Sequence, residues 1–194
     1  MEKESNSLVL AECGILIATS FVLSFIKIID LPYGGSVTAF SMLPVIIAAY
    51  RHGINWGLLT GFTYGVLQLL MGLNNVGYAT SAGAAIAIIL LDYIMAFTCL
   101  GLVGLAKKNK KQTITLVVGT LSVCAIRYIC HIITGCTVWA GVSIPTEDGL
   151  IYSIVYNGGY MIPETAVTVV AAWMLSATLD FRSEKIKSRK RMFK

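Results

Sequence analysis

The chain has 194 residues, 56% hydrophobic and 13% charged, with a mean hydropathy of +0.76. A soluble domain carries about twice that charged fraction because it must cover itself with polar surface, so the composition excludes a water-soluble globule and makes lipid the solvent. The net charge of +5 does not call for nucleic acid, because Lys and Arg gathered in membrane-flanking loops satisfy the orientation rule of membrane proteins.

Apolar runs lie at 8–29, 40–50, 54–72, 83–106, 113–138 and 149–179. The first follows an acidic, weakly basic leader without a small-residue cleavage pattern and reads as a retained span rather than a signal peptide. The second is short for a full crossing, which needs about 20 residues. Six spans and short connectors use nearly all of the length. The expectation is an all-α polytopic membrane protein, a six-transmembrane-helix bundle with both termini cytoplasmic. Residues 1–194 form a single membrane-embedded domain with a basic tail over about 181–194.

Loop charge supports that count. Lys3, Arg51, Lys107, Lys108, Lys110, Lys111 and the basic tail fall on one side of a six-span chain. The other loops, DLPYGGSVT, LNNVGYATSAG and GVSIPTEDG, hold no Lys or Arg and carry Asp30, Glu147 and Asp148 instead. That composition suits a mouth that admits a cation. The five cysteines sit in apolar segments without CxxC or Cys/His spacing. They read as packing residues, and no metal site is expected.

An ionisable group near the middle of a span costs about 2.5–3.5 kcal/mol on insertion scales, so each needs a partner or a task. Those here are Asp92, Arg127, His131 and Glu164. Counted inward from the basic loops, Asp92, Arg127 and Glu164 share a level; pairing of Arg127 with Glu164 as a structural ion pair would leave Asp92 to face a cationic ligand. In the fifth run, Arg127, His131, Gly135 and Trp139 are spaced by four along one slowly turning helical face. Gly135 either leaves room for a flat ring beside Trp139 or permits close helix packing. In the sixth run, Tyr152, Tyr156, Tyr160 and Glu164 repeat that spacing, and Asn157 could read a heteroaromatic edge. A tyrosine stripe also fits an interfacial belt, a reading that suits Tyr156 better than Tyr152.

FVLSFIKI, GGSV, LPV, AYRHG, LLDY, the Arg127-Tyr128-Ile129-Cys130-His131 run and YSIVYNGGYM, in this order and spacing, resemble the thiamine-specific substrate-binding components of energy-coupling-factor transporters. The resemblance implies thiamine contacts at Asp92, Tyr93, His131, Gly135, Trp139, Tyr152 and Asn157. It implies a cap from the loop after the first span, with Tyr33, Gly34 and Gly35 as its candidate residues. It also implies docking on a transmembrane coupling protein with two cytoplasmic ATPases, through small residues of the first span such as Gly14 and Ala18. ATP would be used by those partners, since no GxxxxGK[ST] loop occurs in this chain, and no cofactor is expected. Asp92 stands where relatives also carry Glu, and Ile94 where a proline is expected.

Three other functions compete. A binding component for another small heteroaromatic vitamin would share the pocket. A proton-coupled secondary carrier could relay through Asp92 and Glu164. A membrane enzyme would need more than His131 with Asp92, and no HExxH or nucleophile motif accompanies them.

Overall fold

The structure is a computed structural model that describes residues 5–31, 34–106, 111–140, 142, 147–182 and 186–188. Six helices of two or more turns organise the described residues. Helix α1 (Asn6–Ser24) starts where the Ser5 hydroxyl accepts the Leu8 N–H at 3.4 Å. The first apolar run then leaves the helix. Lys27–Asp30 forms strand β1, paired antiparallel with β2 (Ser36–Thr38), so a hairpin interrupts the expected all-α chain.

Helix α2 (Leu43–His52) spans only about 15 Å at 1.5 Å per residue, half of a hydrocarbon core. It is buried from Leu43 to Arg51 and forms the middle of the core with Tyr64, Phe97 and Leu116. Gly53 joins it directly to α3 (Ile54–Met71) at φ +87°, a conformation that side chains with a Cβ rarely adopt.

Small residues set the contact between α3 and α4 (Ala82–Leu105). A Cβ at Gly57 would lie 2.7 Å from the Gly101 carbonyl oxygen, and one at Gly61 2.6 Å from that of Phe97. The two backbones therefore touch, as small-xxx-small seams allow in lipid. Helix α4 is not uniform. It opens as α-helix, widens into a π-helix over Ile88–Met95 and ends as a 3-10 helix over Cys99–Leu105. Helices α5 (Gln112–Thr137) and α6 (Gly149–Thr178) pack against each other along their lengths.

Side-chain contacts gather the basic end. Arg51 pairs with Glu12 of α1 and donates to the Phe181 carbonyl at 3.3 Å. Gln112, at the start of α5, donates to the carbonyls of Ser176 and Leu179 and accepts from the Phe181 N–H at 2.9 Å. The hairpin lies beyond the opposite end of α2. Among the described residues, four helices, α1, α4, α5 and α6, are long and apolar enough to cross a membrane. Their outer faces are apolar: Leu8, Ile15, Val22, Ile129 and Ile162 are all more than half exposed, which is stable only against lipid.

Candidate functional site

A cavity of about 120 Å³ lies under the hairpin and is walled by α3, α4, α5 and α6. The π-helix of α4 aims Asp92 and Tyr93 into it, and α5 contributes Arg127, His131 and Gly135. A π-turn shifts the register of a helix face by about one residue, and such turns concentrate at functional sites.

Asp92 is the organising residue. Its Oδ1 accepts from His131 Nδ1 at 2.9 Å and from the Thr134 hydroxyl at 2.5 Å, while Oδ2 accepts from the Trp139 indole N–H at 3.0 Å. Asp92 thus holds three donors while lining the cavity, and its side chain is 13% exposed. A carboxylate only accepts, so His131 Nδ1 carries the hydrogen. Its Nε2 is buried and has no partner among the described residues. Trp139 lies two residues past the end of α5, yet its ring returns to the wall through the bond to Asp92 and stands 6.2 Å from the ring of Tyr78.

Tyr93 stands at the α3 side. Its hydroxyl donates to the Gly72 carbonyl at 3.1 Å and accepts from Asn75 Nδ2 at 3.0 Å. Asn157 lines the cavity, but its amide is engaged within the bundle. It donates to the carbonyls of His131 and Ser153 at 3.1 and 2.9 Å and accepts from the Tyr160 hydroxyl at 2.8 Å. Its visible task is to tie α5 to α6 and to set the ring of Tyr160, which meets that of His131 at 5.9 Å.

Two sequence expectations are corrected. Arg127 and Glu164 form no ion pair. Glu164 is taken by the Thr38 N–H and by the Thr38 hydroxyl at 2.7 Å. Arg127 instead lies over the Phe97 ring, 4.3 Å from its centroid, and donates to Met42 Sδ. Tyr152 is not brought to the cavity: it is 44% exposed, whereas Tyr156 and Tyr160 line the wall. Each step of four residues turns a helix face by about 40°, so two steps separate Tyr152 from Tyr160 by about 80°.

The hairpin closes the top. Gly34, at φ +104°, lies so close to Asn75 that a Cβ there would be 2.4 Å from its amide nitrogen, and a Cβ at Gly35 would lie 2.6 Å from the Tyr160 ring. Tyr33 lies outside the described residues. Through Thr38, the same hairpin is anchored on Glu164 of α6. Gly14 and Ala18 sit elsewhere, on the exposed face of α1.

Sequence reasoning missed Gln68, Asn75 and Thr134, and noted Tyr156 and Tyr160 only as part of a tyrosine stripe; all five line the cavity. Gln68 carried a usable signal, an amide inside an apolar run. Thr134 did not, because a threonine hydroxyl in a helix satisfies itself on the preceding turn. No group of three or more metal-binding side chains occurs among the described residues.

A family model described as "Thiamine transporter protein (Thia_YuaJ)" matches residues 10–182. The thiamine transporter ThiT of Bacillus subtilis is 28% identical over 188 residues, covering 90% of this chain and 94% of its own. The thiamine transporter ThiT of Lacticaseibacillus paracasei is 24% identical over 193 residues, covering 90% of each. Among solved structures, ThiT from Listeria monocytogenes superposes with a TM-score of 0.68 at 24% identity, covering 87% of this chain and 92% of its own. The S component of a bacterial ECF transporter superposes with a TM-score of 0.62 at 21% identity, covering 89% of this chain and 95% of its own.

Proposed function

The chain belongs to the thiamine transporter protein family, and on that footing we propose that it captures thiamine in the cavity beneath the hairpin, as the substrate-binding component of an energy-coupling-factor transporter. The observation that carries this reading is the wall around Asp92. A carboxylate held by His131, Thr134 and Trp139 stands among the aromatic rings of Tyr156 and Tyr160. Thiamine is an aminopyrimidine joined to a permanently cationic thiazolium. The carboxylate balances its charge, and a cation over Trp or Tyr gains about 0.5–2 kcal/mol. Among the expected contacts, Asp92, Tyr93, His131, Gly135, Trp139 and Asn157 supply the wall, with Gly34 and Gly35 above. His131 Nε2 is the natural acceptor for the ligand's amino group.

The protein is a transport component, not an enzyme, and leaves its substrate chemically unchanged. We place six crossings in the membrane with both termini in the cytoplasm. The contacts that bring the ends of α2 and α6 and the start of α5 together support this, since Arg51, Lys111 and Arg182 then share the cytoplasmic end. Energy comes from a transmembrane coupling protein with two ATPases, and the exposed Gly14 and Ala18 face of α1 offers it a surface of close approach.

Mass spectrometry of small molecules retained through mild detergent purification tests the reading. Thiamine recovered near one per chain is the expected result. Recovery of a different heteroaromatic vitamin, bound in a manner that thiamine does not displace, would overturn it.

A further inference from the structure

Three buried polar side-chain atoms that lack a hydrogen-bond partner among the described residues, Gln68 Nε2, Arg127 Nε and His131 Nε2, belong to residues that line the cavity. Orphaned donors in lipid are costly and rarely left without a function. The three differ in character. Gln68 Nε2 and Arg127 Nε can only donate, whereas His131 Nε2 accepts when the imidazole is neutral.

The donors line one cavity. Arg127 lies over Phe97 at 4.3 Å, and Tyr64 meets that residue edge-on at 5.1 Å. On α3, Tyr64, Gln68 and Gly72 follow at intervals of four, with Gly72 against the Tyr93 hydroxyl. Gln68 thus sits on the α3 face between the levels of Phe97 and Tyr93. Neither carboxylate of the region neutralises Arg127 by contact, because Glu164 holds Thr38 and Asp92 holds its three donors.

We infer that Gln68 and Arg127 form a second recognition pole, one that binds an acceptor oxygen carried by the ligand at the end remote from Asp92. Resting on the thiamine reading, this assigns the alcohol oxygen of the hydroxyethyl arm to Gln68 and Arg127. It also fixes the ligand's direction: amino group and positive charge toward His131 and Asp92, oxygen toward α3. The cavity selects cations with an oxygen acceptor at the far end over equally cationic rings that lack one.

Titration of the purified full chain with thiamine and with the analogue whose hydroxyethyl arm is an ethyl arm tests this, read by tryptophan fluorescence. The parent binds thiamine more tightly by roughly tenfold or more, the worth of a hydrogen bond to a charged donor. Arg127→Gln and Gln68→Leu each reduce that ratio toward one; loss of the Arg127 charge shifts both cationic ligands alike, so the ratio is what is read, while Gln68→Leu, which changes no charge, binds the ethyl analogue as the parent does and so reports that the fold is intact. A parent ratio of one, or equal weakening of both ligands in both variants, would overturn the inference while leaving thiamine capture standing. Failure of the parent to bind thiamine would overturn the underlying reading and this inference with it.

Discussion

Replacing Asp92 with Asn removes one charge at nearly constant volume. A unit pair about 4 Å apart is worth about 4 kcal/mol at an effective dielectric constant of about 20, which corresponds to roughly a thousandfold in Kd. The 13% exposure of the Asp92 side chain keeps water from screening most of that interaction. The substitution also disturbs the wall itself, because His131, Thr134 and Trp139 all donate to this carboxylate, and an amide nitrogen facing one of those donors leaves it unpaired. This second effect does not depend on ligand charge. Calorimetric titration with thiamine and with its uncharged analogue, in which thiophene replaces the thiazolium, separates the two. Asp92→Asn should weaken thiamine by roughly a hundredfold to a thousandfold and the thiophene analogue by about tenfold or less. Equal weakening of both ligands would refute a role for Asp92 in balancing charge and leave it only a structural one.

The hairpin and the basic end yield further expectations. Gly34→Ala places a methyl 2.4 Å from the Asn75 amide at φ +104°; at about 1–2 kcal/mol of backbone strain, thiamine dissociation in stopped-flow displacement should quicken about tenfold. Glu164→Ala removes the acceptor of the Thr38 N–H and leaves its hydroxyl only Ser41 Oγ, so hydrogen exchange at residues 36–38 should accelerate and thermal unfolding should show a loss of about 1–3 kcal/mol. Gln112→Leu strands the Ser176 and Leu179 carbonyls and the Phe181 N–H; a loss of about 1–3 kcal/mol is expected in thermal unfolding, with thiamine affinity unchanged because the cavity lies at the other end.

Hydropathy made the long helices legible to within a residue or two, since α4, α5 and α6 occupy 82–105, 112–137 and 149–178 where apolar runs ended at 83–106, 113–138 and 149–179. It could not show that Lys27–Asp30 leaves the helix for a strand, because an apolar β-hairpin at the mouth carries the same mean hydropathy as a helix end. Four-residue spacing joined His131 to Trp139 correctly, and insertion cost drew attention to Asp92. Depth alone misled for Arg127 and Glu164. Residues at one level can point in any direction around their helices, and the true partner of Glu164 includes a backbone N–H, which no sequence displays. The same azimuthal drift exchanged Tyr152 for Tyr156 and Tyr160. The π-helix that orients Asp92 and Tyr93 lies against the glycine seam of α3, where Gly65 meets the Tyr93 carbonyl, a backbone contact that no side-chain pattern displays.

Calorimetric titration of the purified chain with thiamine, without any ATPase or coupling protein present, decides whether this cavity is a thiamine receptor. One saturable site per chain is the result expected, with binding abolished or strongly weakened in Trp139→Ala. Absence of saturable binding by a folded parent, or unchanged affinity in Trp139→Ala, would contradict it.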